Sequence, residues 1–352
     1  MSPSNGSEKI FKEPRVAVLG CGYWGKNLVR NFHALGALAL VCDPGDPGRA
    51  MAREIAPRVE VTRDFETAFQ RDGIDGIVIA TPAETHHQLA MRALGAGKDL
   101  YVEKPLALTY REGVAMRNAA ASRGKILMVG HLLEYHPAIL KLRELLDEGE
   151  LGKVDYIYSN RLNFGKVRTE ENALWSFAPH DIAVILRIAG ELPVEVTCVG
   201  GSYLTPALHD VTLSCLRFRS GLRAHIFVSW LNPFKEQKLV VVGDRKMAVF
   251  NDVLKEGKLV VHNQRVEMRD HIPVLHNGNT VQVEHADEEP LRNECRHFLD
   301  CIRHRCQPLT GGKEGTDVLL VLQACQESLE KGGVPIELDH VPDSSFPAAA
   351  AG

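Results

Sequence analysis

The chain has 352 residues, a formal net charge of -4, 45% hydrophobic and 24% charged residues, and eight cysteines. That length supports two cores, since single hydrophobic cores stop growing near ~250–300 residues, and the charge argues against nucleic acid as the main partner. The opening M-S-P-S-N-G-S-E-K lacks a signal-peptide core, no apolar run approaches ~18 residues and no C-x-x-C occurs, so the expectation is a reduced cytoplasmic protein without a membrane span.

Residues 1–13 are expected to be disordered. Val16, Ala17, Val18 and Leu19 form an apolar run suited to a strand buried on both faces. Gly20, Gly22 and Gly25 follow as G-x-G-x-x-G, with Tyr23 and Trp24 inside the turn and Leu28, Phe32 and Leu35 at helical spacing after it. In a dinucleotide site the first glycine makes the tight turn and the second admits a pyrophosphate. The third packs helix on strand, and the helix N-terminus faces the anion. Asp43 ends a second apolar run at about the distance where a carboxylate accepts the ribose hydroxyls of NAD. A 2'-phosphate would be repelled there. Pro44 and Gly45 supply no cation to receive one, and Arg49 is expected to lie too far along the next helix. NAD is therefore the expected cofactor.

Strand and helix then alternate. Helices are expected over 48–56 and 64–71, strands over 59–61 and 76–80, a helix through 89–94 and a strand over 99–103. Thr109 and Glu112 form a capping box opening a helix to about residue 122, and a sixth strand covers 125–130. Six strands with intervening helices are what a doubly wound parallel Rossmann domain needs. Beyond it come a helix over 137–148 and strands over 154–161, 194–201, 211–218, 222–228, 238–242 and 247–250. Helices over 290–304 and 314–330 follow, giving an α+β half with a largely antiparallel open sheet. The expected division is an NAD-binding domain at 1–132, a substrate and oligomerisation domain at 133–341 and a flexible tail at 342–352. His297, Cys301 and His304 have a spacing compatible with metal ligation, but the apolar stripe of Leu291, Cys295, Phe298 and Ile302 explains that helix, so no metal is expected.

Ligands of open α/β sheets bind beyond the carboxyl ends of the strands. Three stretches join the glycine turn there: Thr81-Pro82-Ala83-Glu84-Thr85-His86 after the fourth strand, Glu103-Lys104-Pro105 after the fifth and Gly130-His131 after the sixth. Thr81, Pro82, His86, Glu103 and Lys104 are thus candidate cofactor contacts. G-C-G-Y-W-G, A-T-P-A-E-T-H and above all Y-V-E-K-P-L resemble the glucose–fructose oxidoreductase/inositol dehydrogenase (Gfo/Idh/MocA) family of NAD(P)-dependent sugar dehydrogenases. The resemblance runs from Arg15 to about Leu338. It implies that Lys104 touches the reacting hydroxyl, and it implies a homo-oligomer, a dimer or tetramer, formed through the second sheet.

A second family motif carries an Asp four residues before a His. Here W-S-F-A-P-H-D has His180 at the His position and Ser176 where the Asp would stand. With S-N-R-L-N-F-G-K-V-R before it, this stretch looks like the subgroup of UDP-N-acetylglucosamine and UDP-N-acetylglucosaminuronate 3-dehydrogenases. The resemblance implies a UDP-sugar substrate oxidised at C3, ahead of 3-amino sugar synthesis for surface polysaccharide or lipid A. Such an oxidation needs a hydride acceptor and a base for the hydroxyl proton, and a neutral imidazole suits the second task. His180 is assigned as base and Lys104 as the polarising group, with the reverse assignment open. Arg161, Asn163, Lys166 and Arg168, with Glu134, are candidate substrate contacts, because Arg161 or Lys166 can meet a pyrophosphate or a hexuronate carboxylate. Another sugar or inositol dehydrogenase, or a non-catalytic NAD-binding regulator, are the alternatives.

Overall fold

The computed structural model describes residues 13–165 and 167–338. Lys166, the start of the chain up to residue 12 and the tail at 342–352 lie outside the described residues.

The first half alternates as expected: β1 (Val16–Leu19), α1 (Gly25–Ala34), β2 (Leu38–Cys42), α2 (Asp46–Ile55), β3 (Glu60–Thr62), α3 (Glu66–Gln70), β4 (Gly76–Ile79), α4 (His86–Gly95), β5 (Asp99–Glu103), α5 (Tyr110–Ser122) and β6 (Leu127–Gly130). All six strands are parallel, in the order β3-β2-β1-β4-β5-β6. This is the doubly wound Rossmann sheet, whose order reverses between β1 and β4 and opens a crevice at their carboxyl ends. Every residue of β1, β4, β5 and β6 is buried, which is why β1, β4 and β6 read as apolar runs; β5 is apolar only at its centre, Leu100–Val102, with buried Asp99 and Glu103 at its two ends. The capping box is formed: the Glu112 amide donates to Thr109 Oγ1 and the Thr109 amide to Glu112 Oε2, each at 3.2 Å.

The second half contributes α6 (Pro137–Asp147), β7 (Val154–Phe164), α7 (Ala173–Ala189), β8 (Glu195–Gly201), β9 (Val211–Arg217), β10 (Arg223–Ser229), β11 (Leu231–Gly243), β12 (Met247–Asn251), β13 (Leu259–His262), β14 (Arg265–Arg269), β15 (Ile272–His276), β16 (Thr280–Gln282), α8 (Pro290–His304), α9 (Gly312–Glu330) and β17 (Ile336–Glu337). Nine strands build a mixed sheet, β16-β13-β12-β11-β7-β10-β9-β8-β17, antiparallel except for the β7–β10 pair. One face of this sheet packs against α7 and α9. The strands β14 and β15 pair as a separate hairpin.

Sequence periodicity does not reveal α7. Its segment carries Pro179, and buried residues lie on every side of it (Leu174 and Ile182, but also Ser176, Pro179, Ala183 and Val184), so it shows no polar stripe. Its ends are well specified. Asn172 Oδ1 accepts the Trp175 amide at 3.1 Å, and Gly190, at φ +67°, takes the left-handed position that stops the helix. Late in the chain, α8 returns to the first sheet and packs on α1. Phe298 is fully buried there, edge-on to Tyr101 at 5.8 Å and to Phe32 at 6.4 Å. Phe298→Ala should therefore lower the urea-unfolding free energy by about 3–5 kcal/mol; a loss under about 1 kcal/mol would show that α8 is not part of that core.

Candidate functional site

The three glycines occupy three different environments. At Gly20, φ is +90°, and a Cβ would lie 2.7 Å from the Ala80 carbonyl oxygen. At Gly25 a Cβ would collide with the Gly20 carbonyl, so this glycine sets how closely α1 approaches the turn. At Gly22 nothing lies within 4 Å of the Cβ position. That open space at the start of a helix fits a dinucleotide pyrophosphate, which needs backbone amides without a side chain in the way. Tyr23 is 78% exposed beside it.

Asp43 is held in place by the same turn. Its Oδ2 accepts the Cys21 amide at 2.7 Å and its Oδ1 the Gly45 amide at 2.8 Å. Arg49 differs from the sequence expectation. Its guanidinium folds back onto the Asp43 and Pro44 carbonyls, at 2.8 and 2.7 Å, and pairs with Asp46. Helix α2 starts soon enough after β2 for one turn to bring Arg49 home. There it is committed to acceptors of its own.

Trp24 joins the glycine turn to the E-K-P stretch, its indole N–H donating to Glu103 Oε1 at 2.7 Å. Glu103 also accepts the Tyr101 hydroxyl at 3.2 Å. Burial raises its carboxyl above the usual range, against the pull of Trp24 and Lys104. His86 is buried between two carbonyls, Nδ1 2.8 Å from Pro105 O and Nε2 2.9 Å from Thr81 O. Both ring nitrogens are thereby used, so His86 braces the two cofactor-side loops and offers no polar atom to a cofactor. Thr81 bonds Thr85 through their hydroxyls at 2.6 Å, just beyond β4 beside Pro82.

Lys104 leaves the end of β5, and its Nζ donates to the backbone carbonyl of Ser176 on α7 at 3.1 Å. His180 sits one helical turn further along α7. The carbonyl of Ser176, rather than a side-chain carboxylate, meets the amine, and Ser176 Oγ is buried without a partner. Burial lowers the Lys104 amine below its ordinary value; Glu171 and Glu103 oppose that, while Arg168 and Arg161 add to it. Burial likewise pushes the His180 imidazole well down, and Lys104, Arg161 and His131 push the same way. His180 is thus neutral near pH 7, and its Nδ1 is buried with no partner.

His180 lines a cavity of about 410 Å³ together with Trp24, Leu132, His136, Arg161, Gln237, Asp252 and Lys258. The glycine turn, the loop after β6 and the second sheet all contribute to its wall. Lys104 is not among the residues lining it. Arg161 is forked onto the buried Asp181, Nε to Oδ2 at 2.8 Å and Nη2 to Oδ1 at 3.1 Å, and Asp181 also accepts the Ser159 hydroxyl at 2.6 Å. Lys258 pairs with Asp252 at 2.6 Å. Burial would raise the Asp252 carboxyl, but His136 and Lys258 hold it at about 2.

Glu134 lies elsewhere than expected. It is buried against Arg187 and lines a different cavity with His131. Arg168 pairs with Glu171 at 3.1 Å. Asn163 Oδ1 is buried without a partner, and Lys166 lies outside the described residues. His297 Nε2 accepts the Leu309 amide at 2.9 Å. Sequence reasoning missed Asp181, Glu171, Asp252 and Lys258. Only Asp181 carried a signal, its place directly after His180.

Residues 14–131 match the oxidoreductase family with an NAD-binding Rossmann fold, GFO_IDH_MocA, and residues 139–249 match the GFO/IDH/MocA C-terminal domain. The chain is 29% identical over 325 residues to UDP-N-acetylglucosamine 3-dehydrogenase of Acidithiobacillus ferrooxidans, covering 90% of this chain and 99% of the relative. It is 25% identical over 342 residues to the NAD-dependent scyllo-inositol 2-dehydrogenase of Bacillus subtilis, covering 92% and 96%. Among solved structures, the Acidithiobacillus enzyme superposes with TM-score 0.79 at 24% identity, covering 90% and 97% of the two chains. Levoglucosan dehydrogenase with NADH and levoglucosan gives 0.81 at 20%, covering 94% and 100%. At those identities the structural likeness is one of fold.

Two outcomes follow from this geometry. Gly22→Ala should keep the thermal midpoint within about 2 °C while weakening NAD binding at least tenfold, about 1.4 kcal/mol by calorimetry; Gly25→Ala should lower the midpoint instead. Equal effects from the two would contradict the assignment of separate roles. His131 supplies the second outcome. Burial, with Lys104 and Arg187, holds its imidazole at about 3 in the fold against 6.5 ordinarily. The unfolded chain binds that proton first, so stability present above pH 6.5 is lost as pH falls toward 3. Between pH 7 and 5 the unfolding free energy of His131→Phe should fall by about 1–2 kcal/mol less than that of the wild type. Identical falls would show that His131 is not held neutral.

Proposed function

This chain belongs to the Gfo/Idh/MocA family of NAD-binding oxidoreductases, and on that premise we propose that it oxidises the C3 hydroxyl of a UDP-N-acetylhexosamine to a ketone. The product would be a 3-keto sugar nucleotide, the form needed ahead of 3-amino sugar synthesis for surface polysaccharide or lipid A. The observation that carries the reading is the approach of Lys104, from the end of the Rossmann sheet, to within one helical turn of His180 on α7. The Acidithiobacillus relative, similar along nearly its whole length, supports the nucleotide sugar.

NAD supplies the hydride acceptor when bound, with the amides around Gly22 and the carboxylate of Asp43 to hold it. His180, kept neutral by burial, accepts the hydroxyl proton. Lys104 donates to the same oxygen and stabilises the charge that develops there as the proton leaves. Ser176 O fixes the amine for this task. The paired state of Arg161 and Lys258 supports the neutral hexosamine over its uronate, because neither cation among the described lining residues is unpartnered. Tyr156, Val199 and Leu213 are exposed on one face of the second sheet, which supports a dimer or tetramer formed through that face.

A second reading, oxidation of an inositol or simple sugar, is favoured by the Bacillus subtilis relative. NADH formation over a panel of UDP-N-acetylglucosamine, its uronate, scyllo-inositol and free hexoses separates the two. Turnover is expected with the hexosamine nucleotide, with or without 2-oxoglutarate to recycle held NADH; turnover with inositol alone would overturn the proposal. Lys104→Met should lower kcat by about 10²–10⁴-fold. A variant with near-native kcat would remove Lys104 from the chemistry.

A further inference from the structure

The ring of His180 has a second histidine behind it. His131, the first residue after β6, meets it edge-to-face, ring centroids 6.2 Å apart and planes at 88°. His180 lines the cavity described above, whereas His131 lines a separate one of about 250 Å³ with Glu134, Arg187, Thr310, Lys313 and Glu191. Two imidazoles therefore stand between the two spaces.

Four polar atoms along this line are buried with no protein partner: His180 Nδ1, both ring nitrogens of His131 and Glu134 Oε1. An isolated orphan of this kind is uncommon, and a row of them beside a polar cavity calls for water as the missing partner. The cavity has room for several waters, at about 30 Å³ each. The two rings make no hydrogen bond to each other, so water is the partner left to join their nitrogens. Lys104, at the end of β5, and Arg187 and His180, on α7, act on His131 directly, while Glu134, in the turn after β6, Arg143 on α6, Glu191 after α7 and Lys313, Glu314 and Asp317 on α9 line the cavity with it. Lys104 and Arg187 disfavour a resident proton on it.

We propose that His131 and the cavity behind it form the route by which the substrate's hydroxyl proton leaves the site. The inference rests on the dehydrogenase reading above. In each oxidation the alcohol C–H bond gives its electron pair and hydrogen to the nicotinamide, and the O–H bond gives its proton to His180. His180 must lose that proton before the next turnover, while its substrate-side cavity is closed by product. His131 takes a proton on one ring nitrogen and releases one from the other, passing it through water to the cavity mouth. Its weak basicity keeps the proton moving, and Glu134 Oε1 is an acceptor placed along the way.

The test uses the full-length protein. A crystal structure resolving solvent should show ordered water between the His180 and His131 rings and in the cavity beyond; a dry gap and a dry cavity would overturn the route. His131→Phe should lower kcat by about tenfold or more, with KM for the nucleotide sugar and the dissociation constant of NAD unchanged. His131→Ala, which leaves space for a free imidazole, should regain activity when imidazole is added. Near-native kcat in His131→Phe, or a slow His131→Ala that imidazole does not restore, would each overturn the relay. Wild-type protein is assayed alongside: if it turns over no polyol or sugar nucleotide, the dehydrogenase reading falls and takes the relay with it, whereas an active wild type with insensitive variants removes the relay alone.

Discussion

An amine withdrawn from water has to be met by acceptors, and Lys104 finds its acceptor on the other half of the chain. The bond from its Nζ to Ser176 O joins the end of the Rossmann sheet to the helix that carries His180. Much of the rest of the site follows from that junction. Burial keeps His180 and His131 neutral, and the same cation that needs the carbonyl adds to it, so the electrostatics of both imidazoles depend in part on the cofactor side of the molecule. Trp24 adds a second tie, from the glycine turn to Glu103, the residue next to Lys104 in sequence. The cofactor cradle, the amine and the helix that carries the imidazole are thus joined by hydrogen bonds.

The first half of this arrangement was legible in the sequence because its physics is local. Strands buried on both faces favour apolar residues throughout, and Val16–Leu19 and Gly76–Ile79 are apolar. A turn with φ +90° and a helix pressed against it calls for glycine at Gly20 and Gly25, while an anion-binding gap calls for it at Gly22. E-K-P marks Lys104 in the sequence because a lysine at the carboxyl end of a central strand faces the crevice of the sheet.

The second half was less legible because its determinants are distant pairings. Helix α7 hides its period by carrying buried residues on every side, and Pro179 argues against a helix there. The absence of an acid at Ser176 reads in sequence as a missing contact to the site, yet the backbone at that position meets the lysine. Arg161 reads as a free cation, and only the fold reveals Asp181 locking its fork. Glu134 and His86 are polar residues in the right stretches whose hydrogen bonds turn them away from the roles expected of them. Each case has the same cause: a residue type signals what a side chain can do, and its partners decide what it does.

In the proposed reaction Lys104 and His180 act on one alcohol. The direct measurement is a crystal structure of the ternary complex with NAD and UDP-N-acetylglucosamine. The C3 hydroxyl oxygen should lie within hydrogen-bond reach, roughly 2.6–3.2 Å, of both Lys104 Nζ and a ring nitrogen of His180. A sugar bound with that hydroxyl touching neither group, or with the amine and the imidazole opening into separate spaces, would contradict it.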